Sequence, residues 1–344
     1  MLAAPNSPAL PMRVQGQGAR SLAAVMVFHS FIQLRVGSAQ GIKPLVVAAF
    51  EEPEAHLHPQ AHRAMFYLIK ELDGQKLIST HSPYVARVSH IYSIRVLARG
   101  GDGLVRVSRV PELTNGAPTF TPAELGHIHQ FVQRNNGEVL FAKLVIIFEG
   151  DTEDYALPVF GKGHWGKDCS ALGISLARSD GFGGSKHLVR ALEALGIKWL
   201  LLADGDAGGL QGIQNLAQTL GRALTTASPE IVSLPAGEDL EQYLVNAGYT
   251  SILENAIAQR FGDGALASFR AQSDGQPYGD KSLRDYQTAG WQQRLVRDFC
   301  RRNKGTFGEQ VANTIVSEGP AAGLPSIPPV LQTLFTRAEQ GATT

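Results

Sequence analysis

The chain has 344 residues, 44% of them hydrophobic, and its 31 basic residues balance 31 acidic ones. That length makes two domains the natural expectation, and the apolar share is enough for real cores. Zero net charge excludes a global attraction for nucleic acid, so any such binding needs a local basic patch. Two cysteines, Cys169 and Cys300, cannot make a disulfide framework or a zinc site alone, which fits a reducing cytoplasm.

The first ten residues lack a basic stretch followed by an apolar run and make a poor signal peptide. Ser21 to Leu34 is apolar but carries His29 and Gln33. It falls short of the roughly 18 apolar residues that a membrane span needs, so a buried helix and no membrane association are expected. Residues 44–50 (PLVVAAF) form a continuous apolar run that suits a buried parallel strand. Helical spacing over residues 60–72 ends at Asp73-Gly74. A short strand follows at 76–79, then a β-hairpin with strands 94–98 and 104–110 around Gly100-Gly101-Asp102-Gly103. Pro111, Asn115-Gly116, Pro118 and Pro122 loosen the next stretch and place the domain boundary there. The expected organisation is residues 1–112, a connector 113–142 with a helix near 122–133, an α/β core 143–250 and a helical extension 251–344. Strands are expected at 143–148, 199–204 and 229–234, with helices between them. GFGGSK (181–186) is expected as a flexible loop, and the final EQGATT as frayed.

The first chemical motif is VVAAFEEPEAHLHP, an apolar strand ending in Glu51 and Glu52. At a strand terminus one acid can hold Mg²⁺ through water while its neighbour polarises an attacking water. A second strand then delivers His81 in STHSP, where it can contact a γ-phosphate. Upstream, Gly16 and Gly18 in VQGQGARSL would let backbone amides approach a phosphate before a helix from Arg20; a plain glycine turn is the alternative. Together these residues resemble the rear half of ABC-type ATPases, in particular the RecF/SMC-like and OLD (overcoming lysogenisation defect) branch. EEPEAHLHP stands where Walker B and the D-loop would be, and STHSP where the switch histidine would be. Glu51 replaces the usual Asp, as in the OLD branch. No GxxxxGK[ST] motif occurs, so ATP lacks its main anchor. The expectation is a truncated rather than degenerate ATPase part that does not turn over ATP appreciably as it stands, with ATP used only in a longer chain carrying a phosphate loop.

The stronger motif is KLVIIFEGDTEDYALPVF. Its strand ends at Glu149, Gly150 permits a sharp turn, and Asp151 or Thr152 can cap the next helix. Glu153 in the first helical turn can point back at Glu149. A later strand ends in LLLADGDAGG, where Asp204 and Asp206 are two apart and can face one side of an extended chain. Four hard carboxylates at the C-terminal ends of parallel strands suit Mg²⁺ or Mn²⁺, and ligands bind at those ends in open α/β sheets. Acids gathered so closely repel one another without a cation. PAGEDLEQYL offers Glu238, Asp239 and Glu241, with Glu241 and Glu238 as further metal candidates; an ordinary helix-terminal charge is the alternative for Glu241.

The EGDTE and DGD pair resembles the Toprim domain of topoisomerases, primases and OLD-family nucleases. An ATPase tail followed by Toprim resembles the OLD nucleases over almost the whole chain. The resemblance implies an α/β protein, metal-dependent DNA nicking or cleavage through two ions, a homodimer through the ATPase part, a helicase partner as in some relatives, and a role in phage defence or DNA repair. Glu149 and Lys304 are the catalytic candidates, Lys304 standing in a KG pair as in OLD nucleases, with a surface lysine at a helix end as its alternative. Arg294, Arg297 and Arg301 share one helical face and, with Arg302, form the candidate phosphate-binding strip, interrupted by Asp285 and Asp298. A Toprim DNA-binding module, or a topoisomerase- or primase-like one without nuclease activity, is the competing function. A topoisomerase would need a nucleophilic tyrosine, for which Tyr278 and Tyr286 are the residues at hand.

Overall fold

The computed structural model describes residues 11–37, 45–135, 137–179, 182–278 and 282–343. It divides into two compact units after His90. The first holds α1 (Gln17–Gly37), β1 (Val47–Glu51), α2 (Pro59–Lys70), β2 (Gln75–Ser79) and α3 (Pro83–Val88). β1 and β2 run parallel, from Val47 opposite Gln75 to Glu51 opposite Ser79. A small core gathers Val25 and Ile32 of α1 with Met65, Ile69 and Leu72, packed against Phe50 and Ile78. The apolar run read as a buried strand is only partly covered: Ala48 is buried, while Val47 and, in β2, Leu77 are exposed. Among the described residues this sheet has two strands, so each strand keeps an open edge.

The second unit begins with the hairpin β3 (Val96–Arg99) and β4 (Val105–Ser108) and a second, smaller hairpin of β5 (Leu113–Thr114) and β6 (Ala117–Pro118). The expected boundary after residue 112 would divide these hairpins, but both lie within this unit. Tyr92 stacks on Phe120, and its hydroxyl accepts the Phe120 amide at 3.1 Å. α4 (Pro122–Arg134) follows, started by a capping box between Thr121 and Glu124.

The core of the unit alternates β7 (Leu144–Phe148), α5 (Asp151–Trp165), β8 (Ile174–Arg178), α6 (Phe182–Ala194), β9 (Lys198–Ala203), α7 (Ala207–Leu220) and β10 (Ile231–Ser233). All four strands are parallel, in the order β10-β9-β7-β8. β8 falls in a stretch expected to be helical. The five residues of β8 are too few for periodicity to separate a strand from a helix. GFGGSK is not a loop from Phe182 onward, because α6 starts there. Every residue of β7 is buried. Leu144, Ile146 and Phe148 face a core with α5 and later helices, while α6 and α7 pack together and meet β9. Helices on both faces explain why these strands read as unbroken apolar runs.

The remainder is α8 (Leu240–Leu244), α9 (Thr250–Phe261), α10 (Ala265–Ser273), a small hairpin of β11 (Pro277–Tyr278) and β12 (Ser282–Leu283), α11 (Trp291–Arg302), α12 (Phe307–Glu318) and α13 (Pro329–Thr343). The C-terminal residues are not frayed up to Thr343: α13 buries Leu331, Leu334, Phe335, Ala338 and Ala342, and Lys198 Nζ donates to the Gly341 carbonyl at 2.9 Å. Among the described residues no helix is long and apolar enough to cross a membrane.

Candidate metal centre

The acids of both strong motifs emerge at the C-terminal edge of the four-stranded sheet. Glu149 follows β7 directly and is half-buried. α5 then starts from Gly150 with no side-chain cap, so neither Asp151 nor Thr152 caps it as expected. Both are used elsewhere: Asp151 pairs with Arg178 at the end of β8, and the Thr152 hydroxyl donates to Glu241 Oε1 at 2.6 Å. Glu153 is buried, and its carboxylate folds back over Gly150, close enough that a Cβ there would collide with it. Burial first, then Glu241 and Asp204, push Glu153 up to about 8.

The second motif turns sharply after β9. Asp204 is half-buried, while Asp206 caps α7 by accepting the Gly209 amide at 2.8 Å. The turn is locked to the loop after β10: Gly205 donates to the Glu238 carbonyl at 2.8 Å, and Gly237 donates to the Gly205 carbonyl at 2.7 Å. Gly205 has to be glycine, since a Cβ would strike the Pro235 carbonyl; at Gly209 it would strike the Asp204 carbonyl. Burial first, then Asp239, Asp206 and Glu241, push Asp204 up to about 6.

Of the acids after β10, Glu241 and Asp239 join this group. Glu241 is 3% exposed and lies 3.8 Å from Lys304 Nζ. Asp239 caps α8 through the Gln242 amide and accepts Arg301 Nε at 2.7 Å. Burial alone would raise Asp239, but those two hydrogen bonds, with the charges of Arg301 and Lys304, hold it below the usual carboxylate range. Glu238, the other candidate, turns its Oε1 to Asn246 at 2.6 Å. Lys304 sits between α11 and α12, just before Gly305. Burial alone would lower it, but Glu241, Glu153, Asp239 and Asp204 together raise it, so its ammonium charge is secure.

The arginines of α11 serve the same neighbourhood from within the protein. Arg297 reaches Asp298 and Gln242, and Arg301 reaches Asp239, so both brace α8. Arg294 instead donates to carbonyls of Asp285, Thr288 and Ala289. Arg302 lies 5.5 Å from the Phe269 ring centre. Of these four arginines, Arg297 and Arg301 pair with acids inside the fold, while Arg302 is exposed. Tyr286 is fully buried and donates its hydroxyl to Asp298, which leaves it no path to a phosphodiester. The Tyr278 side chain lies outside the described ones.

In the first unit, Glu52, just after β1, pairs with His81 at 3.3 Å. Glu51 is the last residue of β1 and is exposed. Gly18 is not in a turn before a helix but inside α1, where a Cβ would lie 2.6 Å from the His56 carbonyl. Gly16 precedes α1 with nothing within 4 Å of its Cβ position.

The Thr152–Glu241 bond and the bracing role of the arginines have no counterpart in the sequence reading. Asp239 was visible as a neighbour of two candidates. Nothing in sequence spacing signals a contact between residues 152 and 241. The oxygen-only donor set matches a hard divalent cation. Two of its acids carry raised pKa values, through burial first and then through the neighbouring carboxylates. Among the described residues no three or more His, Cys, Asp or Glu side chains are grouped so that they could hold a metal ion as they stand.

Residues 140–206 match the family described as overcoming lysogenization defect protein-like, TOPRIM domain. Residues 6–86 match an AAA ATPase domain. The chain is 31% identical over 202 residues to an OLD nuclease of Thermus scotoductus, covering 57% of this chain and 36% of that protein. It is 24% identical over 194 residues to the Old nuclease of Escherichia phage P2, covering 56% and 33%. The C-terminal region of the Burkholderia pseudomallei OLD protein aligns with a TM-score of 0.38 at 15% identity, over 59% of this chain and 99% of that one. The matched stretch thus spans about a third of the length of these curated relatives.

Proposed function

We propose that this chain, a homologue of the OLD nucleases with an ATPase-domain segment and an OLD-like Toprim domain, is a metal-dependent DNA endonuclease. The observation that carries this reading is the group of Glu153, Asp204, Asp239 and Glu241 with Lys304 at the C-terminal edge of a parallel sheet. Glu149, Glu153, Asp204, Asp206 and Glu241 would hold one or two Mg²⁺ or Mn²⁺ ions, with Asp239 at the rim. Bound there, the ions supply Lewis-acid stabilisation of phosphodiester oxygens and activation of water.

The protein's own part is positional and electrostatic. Gly205 lets the Asp204 turn sit tightly against the loop after β10, and Gly209 lets α7 start hard against the Asp204 carbonyl, which holds Asp204 close to that loop. Arg301 neutralises Asp239 on its outer side. Lys304 keeps a positive charge beside the acids, where it would stabilise negative charge gathering on a phosphodiester. ATP use, a homodimer through the ATPase part and a helicase partner are proposals carried by the likeness to OLD nucleases, and the site does not depend on them.

Plasmid nicking tests the reading. Supercoiled DNA is expected to be nicked with Mn²⁺ or Mg²⁺, spared with a chelator, and spared by Asp204→Ala protein. Nicking by Asp204→Ala at the parental rate would remove this site from the reaction. DNA binding with no metal-dependent cleavage would favour a binding module instead.

A further inference from the structure

Threonines in the helices of the second unit mostly turn their hydroxyl to a carbonyl one turn back: Thr219 to Asn215, Thr314 to Gln310, Thr333 to Pro329, Thr336 to Gln332. Such bonds are local and carry no information about distant residues. Thr152 departs from this habit. It is 5% exposed, and its hydroxyl donates at 2.6 Å to a carboxylate 89 residues away.

We propose that Thr152 is a positioning residue for Glu241, fixing the carboxylate in the orientation from which it meets a divalent cation. This rests on the reading of the acid group as a metal centre.

Glu241 needs such a fixture. It is 3% exposed, and the small cavity at its side is walled mainly by Leu244, Leu253, Cys300, Phe307 and Val311, while Asn303, also in the lining, turns its amide to the Phe299 carbonyl. An apolar wall cannot orient a carboxylate. The directed contact comes from Thr152, while Lys304 approaches the same Oε1 only to 3.8 Å. A hydroxyl has one hydrogen to give, and here it goes to Oε1, which sets where Oε2 lies. A lysine alone, a mobile point charge on a flexible stem, could not impose that orientation.

Thr152 is itself held firmly. Gly308 of α12 packs on it so closely that a Cβ would lie 2.5 Å from the Thr152 carbonyl. Thr152 also belongs to the same first turn of α5 as Glu153. The bond therefore ties α8 to the turn that carries a second acid of the centre, fixing the spacing of two acids that repel one another. Outer contacts of this kind orient ligands, and their loss costs metal affinity.

The test is Mn²⁺ binding to the full chain without DNA, followed by electron paramagnetic resonance and calorimetry. T152V keeps the shape and removes the donor, and it should bind Mn²⁺ about tenfold or more weakly. T152S restores the hydroxyl and should bind close to the parental affinity. In an E241Q background, T152V should cost little more, because Thr152 acts through Glu241. Parental affinity in T152V, or full additivity with E241Q, would overturn the proposal. D204A, measured alongside, separates the two readings: if D204A loses Mn²⁺ while T152V keeps it, only the positioning role fails. If D204A also binds as the parent does, the metal centre itself fails. Circular dichroism checks folding, and T152A replaces the valine variant should that one not fold, with the same outcomes.

Discussion

The two units carry the same local device, an apolar strand ending in acids, and make different things of it. β7 ends at Phe148 and delivers Glu149; β1 ends in Glu51 and is followed by Glu52. β7 is buried along its whole length, with β8 and β9 on its two edges. β1 has one described neighbour, and only Ala48 of it is buried. Beside β7, desolvation and converging acids from α5, β9 and α8 push carboxylates well above their usual range. Beside β1, Glu52 is 49% exposed and meets one histidine that is 86% exposed. A strand-end acid thus becomes a concentrated electrostatic site only when layers bury the strand and other elements bring more acids to the same edge.

The largest expected effect tests whether that concentration is catalytic. Lys304→Ala should lower the nicking rate by about two orders of magnitude, the scale for losing one transition-state contact. His81→Ala, in the first unit, should leave nicking in the absence of ATP unchanged. Mn²⁺ affinity and DNA binding of Lys304→Ala should stay near parental values. A loss of DNA binding in proportion to cleavage would break the comparison, because Lys304 would then be a general phosphate contact.

Much of this contrast was legible in the residues. The run KLVIIF and the run WLLLAD gave β7 and β9 almost to the residue, because a strand covered on both faces has no polar positions to blur it. Glu153 and Asp204 were legible for the same reason, since glycines beside acids at strand ends have few other uses. The run PLVVAAF gave the parallel strand β1 but not its degree of burial, because composition reports how apolar a strand is and not how well its described neighbours cover it. The arginines of α11 were legible only in part. Their shared helical face was read correctly, but partners such as Asp239 and Gln242 lie about sixty residues away in sequence, beyond any periodicity. Thr152 was invisible as anything but a helix cap until its carboxylate partner was placed.

A second effect concerns the cost of gathering acids. Glu153 holds its proton up to about 8 and Asp204 up to about 6, against ordinary values near 4.5 and 3.8. In the metal-free protein the folded state therefore binds more protons than the unfolded chain across that window. Stability from these groups is full below the ordinary carboxylate range and is lost as pH rises toward 8. Thermal melts with a chelator should show the melting temperature falling between pH 5 and pH 8. Glu153→Gln, which never ionises, should flatten the fall and melt higher at pH 8. With Mn²⁺ present the trend should reverse if these acids are the metal centre proposed above, because a cation held there would bind their deprotonated form with an affinity that rises with pH. A Glu153→Gln profile parallel to the parent's would show that the buried acid is not the source.

The smallest effects compare glycines from the two units. Gly205→Ala drives a methyl into the Pro235 carbonyl, in a turn whose backbone is hydrogen-bonded to Glu238 and Gly237. Neither partner is the tip of a flexible side chain, so the turn itself has to move. Overpacking of this kind costs about 1–3 kcal/mol, and it should separate Asp204 from Asp239 and reduce nicking beyond what the lost stability explains. Gly16→Ala meets nothing within 4 Å, so stability should stay within about 0.5 kcal/mol of the parent. Gly16 and Gly205 both entered as glycines beside presumed phosphate or ion sites, and only the second is required by a close backbone approach. Urea denaturation of the two variants, with nicking assayed on each, separates these roles. A large loss at Gly16 would mean that the first unit holds its turn by a constraint as tight as that in the second. Little change at Gly205 would mean that the Asp204 turn yields easily, and a turn that yields easily cannot hold acids against their own repulsion.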